Sequence, residues 1–106
     1  MANIRKWLEN FETKNNESIF AIVVGKHHND GWDDEDRRPE GKRNVILSRE
    51  SGLAILDVEY DSGYGGANCF PMYAWTEQSV LTISEYDGST TLNAFPRNPI
   101  NCEPQF

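Results

Sequence analysis

CFPMYAWTEQSVLTISEYDGSTTLNAFP, residues 69–96, decides the fold class. Residues 69–76 and 79–86 are rich in aromatic and β-branched side chains, and only Glu77 and Gln78 separate them. That spacing predicts a hairpin, although the connection lacks the glycine such turns favour. Asp87-Gly88 is the strongest turn signal in the chain and leads into a further strand over 90–95. Three strands joined by connections of two and three residues imply an antiparallel sheet, since parallel neighbours need long crossovers.

Upstream, residues 44–48 and 53–60 flank Arg49-Glu50-Ser51-Gly52, which has the chemistry of a hairpin loop. In the second stretch Ala54, Leu56, Val58 and Tyr60 alternate onto one face, while Asp57 and Glu59 mark the other face as wet. Residues 61–68 form a glycine-rich loop. Residues 19–24, Ile-Phe-Ala-Ile-Val-Val, are apolar without a break and predict a central strand buried on both faces. Before them Ile4, Trp7, Leu8 and Phe11 fall at i, i+3, i+4 and i+7, the stripe of an amphipathic helix over 3–13 with Asn3 as its N-cap. Residues 26–42 hold six acids and little that is apolar, which predicts a mobile acidic loop. Three prolines in residues 96–106 predict an extended C-terminal tail. The expected architecture is α+β in a single domain over 1–106: an N-terminal helix packed on a curved antiparallel sheet of five to six strands. A small half-open barrel is the alternative.

At 106 residues the chain has room for one core, and three Trp, four Tyr and five Phe supply bulky material for it. No apolar run approaches the length of a membrane span, and no signal-peptide segment opens the chain, so a cytoplasmic protein is expected. The net charge of −7 is unevenly placed. Acids and bases balance up to residue 49. Beyond it stand Glu50, Asp57, Glu59, Asp61, Glu77, Glu85, Asp87 and Glu103 against a single base, Arg97. Phosphate backbones and anionic membranes are bound by Lys and Arg, so neither nucleic acid nor membrane is an expected partner. A protein with a basic surface is.

No motif dictates a reaction. His27, His28, Asp30, Asp33, Asp34, Glu35 and Asp36 are the densest set of metal-ligating types, but EF-hand and zinc spacings are absent, and a solvated loop is the plainer reading. Cys69 opens an apolar run and reads as a small hydrophobe in preference to a nucleophile paired with His27 or His28. No metal or other cofactor is expected. Tyr64 stands in the glycine-rich loop as an exposed contact residue. Arg97, held between Pro96 and Pro99, reads as an anchor for a phosphate or carboxylate, or more plainly as half of an internal salt bridge. Asp57, Glu59 and Asp61, with Glu85 and Asp87 on a neighbouring strand, form the candidate acidic face.

The order Leu-Asp-Val-Glu-Tyr-Asp from residue 56, a glycine-rich loop, Cys-Phe-Pro, Tyr-Ala-Trp-Thr, Glu85-Tyr86-Asp87-Gly88-Ser89-Thr90 and Pro96-Arg97-Asn98-Pro99 resembles small uncharacterised phage and prophage proteins. The resemblance spans residues 53–99. It implies an inhibitor of the anti-CRISPR or wider anti-defence kind, non-enzymatic, acting in the host cytoplasm by stoichiometric binding. Asp57, Glu59, Asp61, Tyr64, Glu85, Asp87 and Arg97 are the expected contact residues. The alternatives are sequestration of a small nucleotide by Arg97, Asn98 and an aromatic such as Tyr64 or Tyr73, and a metal-dependent hydrolase centred on residues 27–36.

Overall fold

A computed structural model describes residues 2–25, 42–60, 69–86 and 89–104, apart from the side chains of residues 85 and 86. The 26–42 loop up to residue 41, with both histidines, lies outside the described residues, as do Asp61, Tyr64 and Asp87.

Helix α1 (Ile4–Asn15) begins where the sequence places it. The Asn3 side chain accepts from the Lys6 N–H at 3.1 Å. At the other end Asn16 adopts a left-handed φ of 53° and closes the last turn onto the Glu12 carbonyl. Ile4 and Leu8 are buried, while Trp7 and Phe11 are half-buried against the core.

The hairpin expected over 44–60 is not present. Residues 49–56 form helix α2 (Arg49–Leu56) instead. Ser48 caps it by accepting from the Ser51 N–H at 3.2 Å, so the supposed loop is a first helical turn. Gly52, Leu53 and Leu56 form the buried side, and Ala54 and Val58 are exposed. A three-residue spacing of leucines, not the alternation, carries the burial. The segment that follows runs extended to Tyr60, which pairs with Ala2.

The sheet has four described strands, β1 (Ala21–Val24), β2 (Met72–Trp75), β3 (Ser79–Tyr86) and β4 (Ser89–Pro96), antiparallel in the order β1-β2-β3-β4. Strand β1 is therefore an edge strand, not a central one. Its burial alternates: Ile22 and Val24 are buried, Ala21 and Val23 half-buried. Its unbroken apolar run has two causes. Ala21 and Val23 stand opposite Trp75 and Tyr73 on the outer face, and its free edge is covered by Leu47, which exchanges two backbone hydrogen bonds with Ile22 at 2.7 and 3.0 Å.

The turn at Glu77-Gln78 forms without glycine because Thr76 braces it. The Thr76 hydroxyl is fully buried, accepts from the Gln78 and Ser79 N–H groups, and donates to Glu17 Oε1. Helix α2 packs on β1 and α1 on α2, so both helices lie on one side of the sheet. There Ile22, Val24, Met72, Ala74 and Leu81 meet Ile4, Leu8, Leu53 and Leu56.

Glu12 locks the two helices together. Arg49 donates to its two oxygens at 2.6 and 3.0 Å, and the Ile19 N–H donates at 2.8 Å. The Arg49 hydrogen bonds hold the carboxyl below the usual carboxylate range despite partial burial. A carboxyl depressed in the fold stabilises above its unfolded pKa, and that stabilisation is lost as pH falls through the folded value. Melting temperature followed by circular dichroism is therefore expected to drop as pH falls below about 4.5. Glu12→Gln is expected to start lower and to drop less over that range.

Candidate functional site: the outer face of the sheet

With both helices on one side, the other face of the sheet carries side chains that strand alternation turns outward. Met72 and Ala74 point into the core, so Tyr73 and Trp75 point out. The registers then align one row across all four strands: Ala21, Trp75, Val80 and Phe95. Every member of this row is apolar. Beside it Val23, Tyr73, Thr82 and Asn93 make a second row. Tyr73 is 54% exposed and Phe95 40%, and the Tyr73 and Trp75 rings tilt together with centroids 6.0 Å apart. Asn93 donates to the Ser84 hydroxyl beside them.

Arg97 closes one end of the sheet. Its backbone N–H donates to the Gln78 carbonyl at 3.0 Å, and its guanidinium donates to the Thr76 carbonyl at 3.1 Å. The guanidinium also lies 5.4 Å from the centre of the half-exposed Phe20 ring. Among the described residues Arg97 makes no ion pair, so the expected internal salt bridge is not seen there. A backbone carbonyl and an aromatic face hold it in place.

The acidic residues sit elsewhere. Asp57 and Glu59 lie on the extended segment after α2, not on a strand of the sheet. Asp57 pairs with Arg5 at 3.4 Å, Glu59 with Lys6 at 3.3 Å, and the Asn3 amide reaches both. These side chains remain about half exposed, so the pairs are weak but they dilute the local negative charge. Glu85 is on β3 opposite Thr90. The structure therefore does not bring Asp57 and Glu59 onto one strand face with Glu85.

A groove of about 600 Å³ opens between α1 and β4, lined by Trp7, Asn10, Phe11 and Lys14 on one side and Thr90 and Leu92 on the other. At its inner end Tyr60 is 4% exposed and hydrogen-bonds the Thr90 hydroxyl at 2.7 Å. Burial pushes the Tyr60 phenol up to about 12. Among the described residues Lys14 is the only cation in the lining.

Neither cysteine forms a disulfide, and Cys69 is buried. Among the described residues no three His, Cys, Asp or Glu side chains stand close enough to hold a metal ion, and no helix is long and apolar enough to cross a membrane. The outer row was readable in part: alternation over residues 72–75 separates Tyr73 and Trp75 from Met72 and Ala74. The sequence gives no sign of which face the helices leave open. Comparison with protein-family models, with curated proteins and with solved structures yields no match.

Proposed function

We propose that the protein is a non-enzymatic binding protein that docks stoichiometrically on a partner with a basic surface, as a phage-encoded inhibitor of a bacterial defence system does, in the host cytoplasm. The observation that carries this reading is the apolar row Ala21, Trp75, Val80 and Phe95, flanked by Tyr73, on a sheet face that neither helix covers. Rigid aromatics on a strand scaffold have little side-chain freedom to lose on docking, and such residues dominate binding energy at protein interfaces. The net charge of −7 supplies the long-range attraction toward a basic partner. Asp57 and Glu59 belong to that steering field, while Tyr73 and Phe95 are the anchors.

The test begins with immobilised protein in lysate from a defence-competent host, followed by binding kinetics on whatever is retained. Tyr73→Ala with Phe95→Ala is expected to weaken binding by about a hundredfold or more, chiefly through faster dissociation. Asp57→Asn with Glu59→Gln is expected to slow association by about tenfold or less and to flatten its salt dependence. Full affinity in the double aromatic variant removes the outer face from the reading. A retained partner that is acidic removes the charge argument.

A second reading, sequestration of a small nucleotide, has its own observation in the groove between α1 and β4. There Trp7 and Phe11 offer aromatic surface for a base, and Lys14 offers a cation for a phosphate. A nucleotide present at about a hundred times its dissociation constant stabilises the fold by about 2.7 kcal/mol, a readily measured thermal shift. Lys14→Ala is expected to abolish it, and no shift with any mono-, di- or cyclic nucleotide ends this reading.

A further inference from the structure

Arg97 is the one base beyond residue 49, and it stands two residues past Phe95 of the outer row. Its backbone is tied to the Gln78 carbonyl and flanked by Pro96 and Pro99. One Nη1 hydrogen is used on the Thr76 carbonyl. Thr76 is itself held, because its buried hydroxyl is bonded to Glu17 and to two N–H groups of its own turn. The Phe20 ring lies against the guanidinium carbon. Backbone, carbonyl and ring together fix where the charge sits.

A guanidinium presents five donors in a planar fork. The edge formed by Nε–H and Nη2–H meets no acceptor among the described residues, and Arg97 is exposed. Glu17 and Glu77 belong to the same end of the sheet. Even so, no carboxylate among the described residues lies within ion-pair distance of Arg97. By contrast Arg5, Lys6 and Arg49 each meet one. In a chain with a surplus of acid, an arginine fixed by neutral groups and left unpaired is the exception.

We infer that this edge of Arg97 is a preformed receptor for one carboxylate carried by the docking partner. The inference rests on the docking reading above for the source of the carboxylate, not for the geometry. Two parallel N–H···O bonds from one edge of the fork match the two oxygens of a carboxylate. With the side chain already held, little rotamer freedom remains to be lost on binding. One fork with one charge fits a monoanion. A phosphate dianion calls for further cations, whereas residues 50–106 hold no second base and the net charge of −7 repels it. The half-exposed Phe20 ring gives apolar contact to the group next to the carboxylate. On a basic partner that carboxylate is a single acid, a side chain or the chain terminus, within a cationic surface. It sets the register of docking, where net charge alone gives only attraction.

N-acetyl-leucine supplies a carboxylate beside an apolar group, and N-acetyl-leucinamide is its neutral counterpart. In nitrogen–proton NMR spectra of the full chain, the Arg97 Nε–H signal is expected to move saturably with the acid at millimolar concentration and to stay still with the amide. The Arg5 and Arg49 signals, already paired, are expected to move less. Arg97→Gln is expected to abolish the accompanying shifts of the Phe20 and Gln78 amides. Arg97→Lys keeps the charge, loses the fork, and is expected to weaken binding by about tenfold. A response no different from that to sodium chloride at equal ionic strength overturns the proposal, as does an equal response to the amide. Inorganic phosphate binding as tightly as the acid also overturns it, in favour of a phosphate ligand. Should either variant fail to fold, the wild-type titration decides alone. No partner is present in this experiment, so its failure leaves the docking reading to the Tyr73 and Phe95 variants.

Discussion

Gly52→Ala is expected to lower the melting temperature by roughly 10–20 °C, the effect of about 3 kcal/mol in a domain of this size. Helix propensity argues the other way, since alanine in a helix interior is favoured over glycine by about 1 kcal/mol. Packing decides the sign. A methyl group on Gly52 would stand 2.6 Å from the Ile22 Cβ and 2.8 Å from its Cγ2 and Cδ1. Ile22 cannot retreat: it is fully buried, stands opposite Ala74 of β2, and is hydrogen-bonded on its other side to Leu47. The clash must be met by lifting α2 off β1. Thermal and urea melts check the size of the effect. Ile22→Ala in the same chain is expected to cost less on top of Gly52→Ala than it does alone, because the two share one contact. If Gly52→Ala is as stable as the parent, α2 does not rest backbone-first on β1.

Leu8→Ala is expected to cost about 2–5 kcal/mol, the range for emptying a closed leucine site. Leu8 is 0% exposed and sits with Ile4 on the buried side of α1. Trp7→Ala should cost less than the size of its side chain implies, because the ring is half-buried and one side of it lines the groove. Its edge-on contact with Tyr60, centroids 6.3 Å apart, is the main interaction lost. Urea denaturation of both variants measures the difference. A Leu8→Ala protein that unfolds like the parent would mean that α1 is not part of the core.

The sequence was informative where the determinants are local. The apolar stripe from Ile4 to Phe11 and the Asn3 cap lie within one helix, and α1 follows them. The stretch over 79–86, rich in β-branched side chains, and the turn before it lie within one hairpin, and β3 follows them closely. Reading failed where a local pattern had two solutions. Leu53 and Leu56 suit a helix and Leu56 with Tyr60 suits a strand, and the choice depended on a glycine that lets α2 touch Ile22, a contact between distant parts of the chain. The charge of the candidate acidic face was misjudged for a similar reason. Asp57 and Glu59 look unopposed along the chain, but Arg5 and Lys6 reach them from the far N-terminal helix. Thr76 gave no signal at all, since its role depends on Glu17 and on two backbone N–H groups of its own turn.

The sheet described above is a three-strand meander, β2 to β4, to which one distant strand has been added. Within the meander each pairing joins neighbours in sequence, whereas β1 joins β2 across nearly half the chain, Val24 opposite Met72. Bringing those two ends together costs chain entropy before any contact compensates for it. Order of assembly follows. The meander is expected to form first, with few interactions of its own to bury Met72, Ala74 and Leu81. The rate-limiting event is then the arrival of β1 carrying both helices, whose side chains close over those residues. Mutations that weaken the Glu77-Gln78 turn should slow folding with little effect on unfolding, because the meander is already formed when β1 arrives, whereas those at Ile22 and Gly52 should act on both rates.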